Sequence, residues 1–82
     1  MHEQIRRRLD SAFAPADVQV LDEGHQHIGH AGEGTGHFHV RIISSAFAGK
    51  TSIQRHRMVY AVVADLMQHG IHALAIDARP AP

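Results

Sequence analysis

Apolar residues along this chain switch between a helical and an alternating period, and each switch marks an element. Ile5, Leu9, Ala12 and Phe13 fall at i, i+4, i+7 and i+8, which predicts an amphipathic helix over His2–Phe13. It stops ahead of Pro15, because the residue before a proline avoids helical geometry. Val18 and Val20 share one face of a short strand, Asp17–Leu21. Over His37–Ser44, Phe38, Val40 and Ile42 alternate with His37, His39, Arg41 and Ile43, the period of a strand with one covered face. Helical spacing returns in Val59, Val62, Val63 and Leu66. Thr51 and Gln54 form a capping-box pair at the start of that second helix. His69 in its last turn suits the carbonyl end of the dipole, and Gly70 supplies the left-handed stop. Ile71–Ile76, apolar except for His72, predicts a final strand that opens with a histidine.

The connecting segments complete the picture. Residues 24–36 hold five glycines and three histidines, which predicts a flexible loop. The tail 79–82 is expected to fray. The order α-β-β-α-β gives an α+β chain, one small domain over residues 1–82. The first two strands form an antiparallel pair, and the β-α-β crossover is parallel and right-handed. Both helices then cover one face of a three-stranded mixed sheet. That face buries Val18, Val20, Phe38, Val40, Ile42, Leu74 and Ile76, with Phe47 plugging the core from the connector. Gln19, His39, Arg41 and Ala75 lie on the face left open.

Composition narrows the function classes. A chain of 82 residues buries about 60–65% of its unfolded surface, so its stability is modest and a partner matters. Eight basic residues balance eight acidic ones. That gives little support to nucleic-acid binding, which draws on Lys and Arg charge. With no cysteine there is no disulfide framework, thiolate nucleophile or all-cysteine metal site. The N-terminus lacks an apolar signal core and no apolar run is long enough to span a bilayer, so the chain is expected to be soluble and cytoplasmic. The outlying feature is nine histidines, six of them at positions 25 to 56. Histidine titrates near neutrality and is a common metal ligand.

Those histidines define the candidate chemistry. His25, His27 and His30 lie in the glycine-rich loop, and His72 opens the last strand. A swinging imidazole and a held one can share a metal, provided the end of the first strand lies near the start of the third. The alternative is a mononuclear zinc, nickel or copper site within the loop. His37 and His39 read as an exposed polar face, and His56, three residues before Val59, as a half-buried histidine with a satisfied partner. Arg6, Arg7 and Arg8 read as a solvated helix face. Arg55 and Arg57 stand about 200° apart around their helix, each within reach of a separate carboxylate. Gly49-Lys50-Thr51 is half of a phosphate-binding loop, but the required first glycine is Ser44, so that reading fails. Ser44, Ser45 and Thr51 have no base and orienting group fixed by spacing, and no enzyme is expected.

Phe47-Ala48-Gly49, then Arg55-His56-Arg57-Met58-Val59-Tyr60, then Ile71-His72-Ala73-Leu74-Ala75-Ile76 resemble the signature of the BolA-like family. Asp22-Glu23 and His37-Phe38 extend the resemblance over nearly the whole chain. It implies a class II KH-like domain that pairs with a monothiol glutaredoxin and shares a bridging [2Fe–2S] cluster with it. The glutaredoxin and its glutathione bring thiolates; the BolA-like side brings a C-terminal histidine and a histidine or cysteine of the first inter-strand loop. Carried onto this chain, the C-terminal ligand is His72 and the loop ligand is His27, four residues after Glu23, with His30 competing. Mixed imidazole and thiolate ligation is an established way to hold such a cluster. The isolated, cysteine-free protein is expected to hold none. The implied role is cluster trafficking or iron homeostasis. Transcriptional regulation through nucleic-acid binding is also attributed to some BolA-like proteins. It would use Arg41, Lys50, Arg55 and Arg57 at the open sheet face and the entry of the second helix. The neutral charge and the missing Gly-x-x-Gly clamp argue for weak DNA binding at most. Whether the free protein forms a homodimer is left open by the sequence.

Overall fold

A computed structural model of the chain describes residues 1–23 and 36–82. In chain order the elements are α1 (His2–Phe13), β1 (Ala16–Asp22), β2 (His37–Ser44), a 3₁₀ turn (Ser45–Phe47), α2 (Ser52–Val63), a second 3₁₀ turn (Ala64–Gln68) and β3 (Ala73–Pro80). The strands run in the order β1-β2-β3, antiparallel between β1 and β2 and parallel between β2 and β3. The α-β-β-α-β arrangement read from the hydrophobic pattern is therefore the fold. No helix among the described residues is long and apolar enough to cross a membrane.

Alternation on β2 builds the core. Phe38, Val40 and Ile42 are buried together with Ile5, Leu9 and Phe13 of α1 and Val59 and Val63 of α2. Phe47 is fully enclosed, its ring centroid 5.0 Å from that of Phe13. Val18, Val20, Leu74 and Ile76, expected to be equally buried, are only half-buried. They stand on the outer strands, where one flank of each side chain faces the rim of the sheet.

Helix α2 starts as its capping residues dictate. The Gln54 N–H donates to Thr51 Oγ1 at 3.2 Å, and the Thr51 N–H donates to Gln54 Oε1 at 2.8 Å. Its end differs from expectation: the α-helix closes at Val63 and a 3₁₀ turn replaces the last helical turn, leaving His69 beyond it. In 3₁₀ winding residues three apart eclipse, which sets Val63 and Leu66 on the same inward side, and both are buried. Gly70 follows with φ 138°.

The last strand also corrects the sequence reading. It begins at Ala73 rather than Ile71, because Ile71 is a buried core residue whose N–H donates to Leu66 O at 3.1 Å. His72 therefore occupies the bend ahead of β3. The tail expected to fray is instead paired: Arg79 lies opposite Ile43, Pro80 opposite Ser44, and the Ala81 N–H donates to Ser44 O at 3.2 Å. Proline is tolerated at the end of an edge strand, where its missing N–H breaks no ladder bond.

Candidate functional site

Strands β1, β2 and β3 bring three points of the chain to one end of the sheet. Glu23 closes the β1–β2 ladder there, its N–H donating to His37 O at 2.8 Å. Gly36 lies immediately before β2, and its carbonyl accepts from the N–H of His72 at 2.8 Å and from the N–H of Ala73 at 3.2 Å. The histidine-bearing connection thus leaves the sheet at Glu23 and returns to it at Gly36, against His72. Adjacent strands lie about 4.8 Å apart, so residue 23 is roughly two strand spacings, ~10 Å, from the start of β3. The end of β1 and the start of β3 thus stand at the same end of the sheet. His72 itself is exposed.

His25, His27 and His30 lie outside the described residues, so His72 is the candidate ligand whose position is given. Among the described residues no three His, Cys, Asp or Glu side chains gather as a metal-binding group. The donor chemistry fits a shared cluster in one way only. This chain can supply imidazole but, with no cysteine, the thiolates must come from another molecule.

His37 and His39 are half-buried and alternate onto the open face of β2. His39 lies between Leu21 on β1 and Ala75 on β3. His56, read as half-buried, is exposed. The inward place on that turn of α2 goes to Arg55, one full turn before Val59. Arg55 Nε donates to Ala78 O and Nη1 to Lys50 O, both at 2.7 Å. Arg55 therefore binds two backbone carbonyls rather than the carboxylate expected, tying the start of α2 to the rim of β3. Of the α1 arginines, Arg6 and Arg7 pair with Glu3 at 2.5 and 3.4 Å, while Arg8 reaches Asp65 across to the second 3₁₀ turn.

The candidate phosphate contacts form two groups. Arg41 lies on the open face, opposite Gln19 and Asp77. Lys50 and Arg57 are exposed around the start of α2, with Arg57 on the side of the helix away from Arg55. A shallow concavity of about 390 Å³ over the open face is lined by Asp17 and Asp77 as well as Arg41 and Arg79. Arg79, hydrogen-bonded at 3.0 Å, holds the Asp77 carboxyl below the usual carboxylate range, with Arg41 and His39 adding to the effect. Two carboxylates in that concavity offset its two guanidinium groups, which weakens it as a phosphate surface.

Gly36 is the site residue that sequence reasoning missed. It counted as one more flexible position of a glycine-rich run. The available signal was its place directly before His37-Phe38, at the join between loop and strand.

The BolA-like protein family model matches residues 9–81 of this chain. SufE-like protein 1, chloroplastic/mitochondrial, of Arabidopsis thaliana is 39% identical over 83 residues, covering 93% of this chain and 22% of that protein. The DNA-binding transcriptional regulator BolA of Escherichia coli K12 is 37% identical over 76 residues, covering 93% of this chain and 71% of that one. Among solved structures, the BolA domain of SufE1 from Arabidopsis thaliana superimposes with a TM-score of 0.82 at 39% identity, covering 96% of this chain and 90% of that one. BolA1 from the same plant gives a TM-score of 0.86 at 32% identity, covering 98% and 90%.

Proposed function

Because the chain belongs to the BolA-like family, we propose that it partners a monothiol glutaredoxin and co-ligates a [2Fe–2S] cluster bridging the two proteins. His72 is one ligand and His27 or His30 the other; the partner and its glutathione supply the sulfur. The observation that carries this reading is the pair of hydrogen bonds from the backbone N–H groups of His72 and Ala73 to Gly36 O, which fasten the end of the histidine-bearing connection to the backbone of the bend that carries the exposed His72. A bound cluster supplies redox-active iron, at a potential raised where imidazole replaces thiolate. The protein's own part is to present one imidazole from a fixed bend and one from the connection. We read the chain as an accessory or regulatory protein in cluster trafficking or iron homeostasis, and not as an enzyme.

The test is to mix the protein with a monothiol glutaredoxin, ferrous iron, sulfide and glutathione and to record visible absorption and circular dichroism. A spectrum distinct from that of the glutaredoxin alone, and lost in His72→Ala, is expected. A spectrum identical to glutaredoxin alone, or indifferent to His72→Ala, overturns the reading.

DNA binding is a second reading, favoured by the name of the Escherichia coli relative. Arg41, Lys50 and Arg57 are its remaining contacts once Arg55 is held by backbone carbonyls. A mobility-shift series across salt decides it: no binding at low salt removes the idea.

A further inference from the structure

Among the described residues three glycines have positive φ: Gly36 at 75°, Gly49 at 74° and Gly70 at 138°. Their surroundings differ sharply. A Cβ built at Gly49 meets nothing within 4 Å, and one at Gly70 meets only the flexible end of Met1, at 2.6 Å. A Cβ at Gly36 runs into the Gly70 carbonyl oxygen and comes to 2.7 Å from Cδ2 of the His72 ring and 3.0 Å from His72 N. Gly36 cannot retreat, because its own carbonyl holds the N–H groups of His72 and Ala73. Two of the atoms in the way are backbone; the third is the imidazole, the group best able to turn aside.

We propose that Gly36 is a positioning residue for His72, its missing side chain leaving the space in which the imidazole stands ready to bind metal. This rests on the function proposed above and adds a residue outside the ligand set. The left-handed φ and the crowding are separate demands, and the chain contains its own control. Gly49→Ala places an L-residue at nearly the same φ with no neighbour to disturb. Gly36→Asn adds a Cβ at Gly36 with a residue that tolerates positive φ better than most.

The experiment compares Gly36→Ala, Gly36→Asn and Gly49→Ala with the unaltered protein. It uses two readouts: the His72 ring resonances of the free protein by NMR, and the visible circular dichroism of the cluster formed with glutaredoxin. Both Gly36 variants should displace the His72 ring resonances and bring the cluster signal down to the level of His72→Ala. Gly49→Ala should leave both as they were, at whatever cost in melting temperature. Gly36 variants with unmoved His72 resonances would overturn the proposal, as would a Gly49→Ala variant that loses them equally. If no composite cluster forms even with the unaltered protein, the functional reading falls, while the ring resonances still decide what Gly36 does.

Discussion

The two ends of the sheet are held by different means. Where β2 leaves for α2, side chains do the fastening. The buried hydroxyl of Ser44 donates to Phe13 O and accepts from the Ala46 N–H at 3.1 Å. Phe47 fills the space below, Thr51 and Gln54 cap each other's backbone, and Arg55 ties Lys50 O to Ala78 O. At the opposite end, backbone-to-backbone bonds through Glu23, Gly36, His37, His72 and Ala73 join β1, β2 and β3. There the imidazole of His72 is exposed. Backbone bonds set the course of the chain and leave the side chain for other work. Among the described residues the first end is thus fastened largely by side chains, while the end at which the proposed function would act presents the His72 side chain to solvent.

That contrast is sharpest under mutation. Phe47→Ala removes a fully enclosed ring, and a loss of about 3–5 kcal/mol is expected, enough to leave much of so small a domain unfolded in a urea titration. Ser44→Ala strips the Phe13 carbonyl of its buried donor, and the same titration should register about 1–3 kcal/mol. Thr51→Ala, which removes half of the capping box, should cost about 1 kcal/mol.

Acid should expose a weaker link between α1 and the second 3₁₀ turn. The Arg8 guanidinium, hydrogen-bonded to Asp65, holds that carboxyl below its ordinary value. A carboxyl depressed in the folded state stabilises above its unfolded pKa and loses that contribution as pH falls through the folded one. The stability advantage of the unaltered protein over Asp65→Asn should therefore be full near neutrality, begin to fall below about pH 4 and be gone only below the depressed folded pKa, with the small size of an exposed pair. At the other end, His72→Ala should change folding stability by less than about 0.5 kcal/mol while abolishing the composite cluster spectrum. A large loss of stability in His72→Ala would erase the distinction between the two ends.

Particular residues show how far the sequence could be read. The bounds of α1 and β2, the Thr51–Gln54 cap, the buried place of Phe47 and the mixed sheet were all legible, because each is carried by local period or by a pair of residues close in sequence. The BolA-like signature was legible for the same reason. His56 and Arg55 were misjudged because helical spacing gives a rotation angle but does not say what stands opposite. Only the approach of β3 to the start of α2 turned Arg55 inward to Ala78 O and left His56 in solvent. The tail was taken for a loose end because pairing of Pro80 with Ser44 has no signal in the tail itself.

By itself, then, the sequence determined which elements form, which face of each is apolar, and which residue types are present to bind metal. Periodicity and capping act within a few residues, and chemistry travels with the side chain. The tertiary structure alone decided that β3 starts after His72, that Arg55 seals a strand edge, and that Gly36 stands where a side chain would strike the His72 ring. Those outcomes depend on distances between segments far apart along the chain, which are set only when the β-α-β crossover closes.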